Sequence, residues 1–104
     1  MLELRPNCEL CDRDLPPDSY DARICTYECT YCSHCAETVL HNVCPTCGGG
    51  FCPRPIRPTQ SWRPDRKLGL TYHPASTRRV HTAFTRDDID QHVARIRDLP
   101  PHRR

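Results

Sequence analysis

Eight cysteines carry the chemistry available to this chain. They run Cys8-x2-Cys11-x13-Cys25-x3-Cys29-x2-Cys32-x2-Cys35-x8-Cys44-x2-Cys47, so that three of the four pairs are C-x2-C. That spacing lets two sulfurs reach one metal ion, each about 2.3 Å from it, while the residues between them turn the backbone around it. The same turn can aim backbone N–H groups at the sulfurs and offset their charge. Eight thiolates make two four-sulfur tetrahedra. An all-sulfur tetrahedral site favours zinc, with an iron–sulfur cluster as the alternative. A site closed in this way leaves no position for water or substrate, so two structural Zn²⁺ ions are expected. Spacing allows two groupings. One is interleaved, with Cys8, Cys11, Cys32 and Cys35 on one ion and Cys25, Cys29, Cys44 and Cys47 on the other. The second is sequential, with Cys8, Cys11, Cys25 and Cys29, then Cys32, Cys35, Cys44 and Cys47. Both send Cys29 and Cys32 to different ions, so spacing alone does not choose.

The other reactive residue types form no second constellation. Cys52 is a ninth cysteine outside the pattern and reads as incidental. His34 and His41 lie among the ligands and can replace a cysteine in principle, but read as solvated or hydrogen-bonding side chains. His73, His81, His92 and His102 have no ligand spacing and read as surface residues. The carboxylate pairs Asp12/Asp14 and Asp87/Asp88 fall in turn and helix-start contexts that explain them without acid–base chemistry. Gly48-Gly49-Gly50 follows a cysteine pair and suits a turn better than a phosphate cradle. No catalytic residue is assigned, and the chain is not expected to be an enzyme.

Composition fits a metal-built fold. A chain of 104 residues with nine cysteines, eleven prolines and seven aromatics has too little apolar surface to fold by burial alone, and small domains then recruit metals or disulfides. The opening residues Met1-Leu2-Glu3-Leu4-Arg5-Pro6-Asn7 contain no apolar run of the signal-peptide kind. No stretch approaches the roughly 20 apolar residues of a membrane helix. The expected compartment is the reducing cytoplasm, where clustered cysteines bind metal more often than they form disulfides. Charge is divided: residues 1–52 hold three Arg against eight Asp and Glu, and residues 53–104 hold eleven Arg and one Lys against five Asp. Metal-bound thiolates deepen the contrast, taking the formal +2 of the chain to about −2 when two divalent ions are held by eight sulfurs.

The elements needed to position the cysteines are short. Ala22-Arg23-Ile24-Cys25-Thr26-Tyr27 suits a strand running into ligands, and Ala36-Glu37-Thr38-Val39-Leu40 suits a short helix after the sixth. Residues 53–64, with four prolines, are expected to be an extended Pro/Arg linker. Residues 65–104 form a basic tail, partly disordered, with one helix over Arg86 to Asp98. Thr85 is its N-cap, with Asp88 three residues on. Asp87, Asp88 and Asp90 suit the positive end of the helix dipole, and Arg95 and Arg97 the negative end. Ile89, Val93, Ile96 and Leu99 make one apolar stripe, and Pro100-Pro101 ends the helix. The stripe must pack on the cysteine module, on a partner or on a second copy.

The cysteine spacing resembles that of RING fingers and their relatives. In those domains the first and third ligand pairs hold one zinc and the second and fourth hold the other. The resemblance therefore implies a cross-brace: Cys8, Cys11, Cys32 and Cys35 as site 1, and Cys25, Cys29, Cys44 and Cys47 as site 2. It implies a small metal-stabilised α+β module over residues 1–52, with a short β-hairpin and one short helix. Cys44-Pro45-Thr46-Cys47-Gly48-Gly49-Gly50 looks like the C-P-x-C loop that closes such folds. Ubiquitin-ligase activity is not expected. Glu9 follows Cys8, no Trp precedes Cys44, and Gly48 follows Cys47, so only Leu10, Val43 and Pro45 partly match a conjugating-enzyme dock. A more specific resemblance lies in Leu2-Glu3-Leu4-Arg5-Pro6-Asn7-Cys8, Cys11-Asp12-Arg13-Asp14-Leu15-Pro16-Pro17, Ile24-Cys25, Glu28-Cys29-Thr30-Tyr31-Cys32 and Cys44 to Gly50. These segments are similar to a family of small bacterial cysteine-rich proteins, domain of unknown function 1272, over roughly residues 1–58. That resemblance implies a bacterial, cytosolic, zinc-binding protein and supplies no activity.

The expected role is a non-catalytic protein–protein interaction module with structural zinc. The alternative is nucleic-acid binding through Arg54, Arg57, Arg63, Arg66, Arg78 and Arg79, with Trp62 and Tyr72 as stacking surfaces. A second alternative is a redox- or zinc-responsive regulator.

Overall fold

The computed structural model describes residues 1–104. Its sheet has three short antiparallel strands, β1 (Ala22–Ile24), β2 (Thr30–Cys32) and β3 (Cys52–Pro53), in the order β2-β1-β3. Ala22 faces Cys32 and Ile24 faces Thr30 across the hairpin, and Ile24 faces Cys52 on the other side. The expected strand over 22–27 is cut short at Ile24. Its second half is a tight turn instead: Glu28 N–H bonds the Cys25 carbonyl and Glu28 takes φ +68°. The ligand turn wins because its geometry is incompatible with continued pairing.

All three residues of β2 are buried. Its outer edge is covered by the first cysteine turn, where Glu9 N–H donates to the Thr30 carbonyl at 2.9 Å and Thr30 N–H donates to the Glu9 carboxylate. Covering an edge in this way removes a free pairing surface. After β2 comes one wide helical turn, Cys35–Val39, closed by Leu40 N–H on the Cys35 carbonyl. It starts one residue before the expected helix. A longer helix, α1, spans Arg86–Ile96. The Thr85 hydroxyl accepts from Asp88 N–H at 3.2 Å, as the capping pattern requires. The chain then turns once more through Arg97 and Leu99 before the prolines.

The core joins module and tail. Thirteen buried residues form one cluster, and six of them are cysteines; Leu15, Tyr31, Leu40 and Val43 pack with Ile89 and Val93 of α1. The apolar stripe of α1 is therefore spent on the cysteine module. Of the expected linker, residues 59–64 bend into a turn closed by Arg66 N–H on the Arg63 carbonyl. Residues 53–58 begin inside the sheet, run on without a turn and are anchored. Arg54 is only 4% exposed and donates to the carbonyls of Arg5 (2.8 Å), Leu15 (3.3 Å) and Pro16 (3.1 Å). Arg57 donates to the carbonyls of Leu2 and His73. Beyond them residues 58–73 close a loop, with Leu70 N–H on the Pro58 carbonyl at 2.8 Å. The tail that composition marked as partly disordered is laid against the module at both ends.

Candidate metal centre

Each cysteine pair sits on a backbone turn that holds its sulfurs. In the first, Cys8 N–H bonds the Arg13 carbonyl and Asp12 N–H bonds the Cys8 carbonyl. The turn at Cys44 repeats the pattern, with Cys44 N–H on the Gly49 carbonyl and Gly48 N–H on the Cys44 carbonyl. The residue just after the second cysteine takes a left-handed conformation in both turns, at Asp12 (φ +66°) and Gly48 (φ +77°). Glycine is free of strain there, and Asp tolerates it better than most residues do. At Gly48 an added Cβ would also lie 3.4 Å from Ile96 of α1.

Each turn aims one backbone N–H at a sulfur: Cys11 to Cys8 (3.5 Å), Tyr27 to Cys25 (3.3 Å), Cys35 to Cys32 (3.4 Å) and Gly49 to Cys47 (3.4 Å). These donors stabilise negative charge on sulfur and orient it.

The fold draws the sulfurs into two groups. Those of Cys8, Cys11, Cys32 and Cys35 all lie within 4.8 Å of one another, as do those of Cys25, Cys44 and Cys47. The first and third pairs thus stand together, and Cys25 of the second pair stands with the fourth. The reason is topological. The β1–β2 hairpin puts Cys25 and Cys29 at its turn and Cys32 at its far end, so Cys32 meets the first pair while the hairpin turn meets Cys44. Cys29 is not within 4.8 Å of all three others in the second group, but its thiol touches those of Cys44 and Cys25. The donor sets fit metal ions. The Cys11 and Cys32 sulfurs stand 3.8 Å apart, the edge of a tetrahedron with metal–sulfur bonds of about 2.3 Å.

Electrostatics within the groups are uneven. Contact with the Cys44 thiol, against the pull of burial, lowers Cys29 to about 6, while the same contact together with burial raises Cys44. Burial pushes Cys25 up to about 11 and raises Cys35 and Cys8 as well. At Cys11 burial acts upward, but the Arg13 N–H and the neighbouring sulfurs outweigh it and leave the thiol lowered. A cluster in which one thiol ionises readily and its neighbours resist needs a cation to carry all of them to thiolate.

Several supporting residues carry no motif. Glu9 is 5% exposed. It accepts from Arg5 at 2.7 Å as well as from Thr30 N–H, and so ties the first turn to β2. His92, expected at the surface, is half-buried and bonds the Cys44 carbonyl at 3.0 Å, because α1 lies over the fourth turn. Arg104 donates to the carbonyls of Asn42 and Gly48. Asn7, fully buried, joins the first turn to the tail through Val80. Apart from Arg5 and Glu9, four positions apart, nothing in the sequence pairs these residues, since their partners lie tens of positions away. Cys52 is exposed on β3 and outside both sulfur groups. His34 and His41 join neither. Of the six arginines nominated for phosphate contacts, Arg54, Arg57 and Arg79 bond within the chain, while Arg63, Arg66 and Arg78 are exposed.

A family model described as "Protein of unknown function (DUF1272)" matches residues 1–57, and the chain belongs to that family. It is also 59% identical over 80 residues to an uncharacterized protein of Rhizobium meliloti (strain 1021), covering 77% of this chain and 86% of that one. The aligned length exceeds the family match, so the likeness continues into the tail. No solved structure matches the chain. No helix is long and apolar enough to cross a membrane.

Proposed function

We propose that this protein is a zinc-stabilised, non-catalytic interaction module of the bacterial cytoplasm. The observation that carries the reading is the convergence of Cys8, Cys11, Cys32 and Cys35 within 4.8 Å. Four sulfurs fill a tetrahedral ion's coordination, leaving no place for water or substrate. Site 1 would be held by these four and site 2 by Cys25, Cys44 and Cys47, with Cys29 completing it. The bound metal supplies folding free energy and cross-links strands that bury little else. With chemistry closed off at the metal, the working parts are the surfaces that the two sites hold in place.

The test is elemental analysis of the purified chain, then chelation. Two zinc ions per chain, no iron and loss of structure on chelation are expected. Iron with visible absorbance, or a folded chain free of metal, overturns the reading. A second reading, nucleic-acid binding, is favoured by the loop over residues 58–73. There Trp62 is 76% exposed and Tyr72 51% exposed, beside Arg63, Arg66 and Lys67. It requires binding that falls steeply with salt.

A further inference from the structure

Residues 76–82 lie along the first metal turn as an extended peptide lies in a recognition site. Ser76 N–H donates to the Leu4 carbonyl at 3.0 Å and Thr82 N–H to the Glu9 carbonyl at 2.8 Å. Between them Asn7 grips one residue, Val80, by both its N–H and its carbonyl. Its Nδ2 donates to the Val80 carbonyl at 2.8 Å, and its Oδ1 accepts from Val80 N–H at 3.2 Å. These bonds read backbone only and accept any side chain, as in recognition by added strands.

Selectivity comes from Arg79. Its Nη1 donates to Asp14 at 2.7 Å. Its Nε and Nη2 donate to the Asp12 carboxylate at 3.1 and 2.9 Å, and Nη2 also reaches the Asp12 carbonyl at 2.6 Å. His81 bonds the same Asp12 oxygen at 2.8 Å. All three guanidinium nitrogens are used, a match that a lysine ammonium cannot reproduce.

We infer that the Asn7–Asp12–Asp14 face is a binding site for an extended, arginine-bearing peptide of a partner protein, and that residues 76–82 occupy it in cis. This rests on the interaction-module reading and names its working face. A tethered occupant competes at an effective concentration on the order of millimolar, so a partner binds only by out-competing the strap or when the strap is released.

The test uses the full zinc-loaded chain and a fluorescent peptide with the sequence of residues 74–84. Arg79→Ala weakens the cis occupant and binds the peptide at least tenfold tighter than wild type. Adding Asp12→Asn and Asp14→Asn abolishes that gain, and a peptide with lysine in place of Arg79 binds at least fivefold more weakly. In wild type, excess peptide speeds amide exchange at Val80 and Thr82.

An Arg79→Ala chain that keeps two zinc ions and its helix yet binds no tighter than wild type overturns the inference. So does binding indifferent to the two aspartates, or displacement of the peptide by an oligonucleotide. A wild-type dimer formed by strap exchange also overturns it, assigning the face to self-association. Failure of the zinc reading is separate: it shows in metal content and chelation before any peptide is added.

Discussion

Replacing Ile89 by alanine tests whether α1 belongs to the fold of the metal module. Ile89 is 1% exposed and shares one core with Cys44, Val43 and Leu40. The substitution removes three carbon groups. At about 0.8 kcal/mol each, their transfer alone is worth about 2.4 kcal/mol, and incomplete collapse of the cavity brings the loss to about 3 kcal/mol. The measurement is denaturant unfolding at one fixed free-zinc concentration, because bound metal shifts apparent stability by mass action. Leu99→Ala is the control: Leu99 continues the same sequence stripe but is 43% exposed, and its truncation should cost less than about 0.5 kcal/mol. Equal, small losses for both variants would refute the docking of α1. A loss at Ile89 together with release of a zinc ion would show that the helix supports the fourth turn, where His92 holds the Cys44 carbonyl.

Three further outcomes follow from the same geometry. Arg54→Ala strands three carbonyls that now share one guanidinium. It should cost about 2 kcal/mol after the offset of desolvating that charge, whereas Arg63→Ala and Arg66→Ala leave the unfolding midpoint unchanged. Cys8→Ser should lose one zinc ion and the hairpin's native circular dichroism, while Cys52→Ser retains both ions by elemental analysis. Gly69→Ala places a Cβ 2.7 Å from the Gln60 carbonyl oxygen at φ +88°, a strain of more than about 1 kcal/mol; trypsin should then cut at Arg66 or Lys67 sooner than in wild type.

What is local and periodic in this fold is legible in the sequence. The cysteine spacings marked the ligand turns because one turn's geometry is set by the residues inside it. Thr85 and the Ile89–Val93 spacing marked α1 because capping and amphipathicity are properties of a few adjacent residues. The choice of one segment by another is not legible there. Arg54 and Arg79 have the composition of phosphate contacts and serve instead as donors to carbonyls and carboxylates of the first sixteen residues. Nothing in an arginine's neighbours distinguishes these roles; the partners within reach do, and those depend on how the tail is laid. β3 was invisible for the same reason: two residues, Cys52 and Pro53, have no periodicity, and only their position beside Ile24 makes them a strand.

The division of charge acquires a physical meaning from this. Eight carboxylates make residues 1–52 acidic, and more so if their thiolates hold divalent ions, while the tail carries most of the arginines. A basic arm on an acidic body can be a solvated extension only if the body has its own apolar cover. Here it does not: six of the thirteen core residues are cysteines, and Ile89 and Val93 are the members from beyond Cys44. The tail is needed for burial at its far end, and reaching that end carries it across the carboxylates of the first turn. The Arg79 clamp then sits between two constraints, the metal turn beneath and α1 beyond. It also lies open to solvent, with Asp14 81% accessible, where water and salt screen its ion pairs. The clamp over Asp12 and Asp14 is therefore open to solvent while the metal turn and α1 hold the fold on either side, and that is where a competing arginine peptide can enter without unfolding the module.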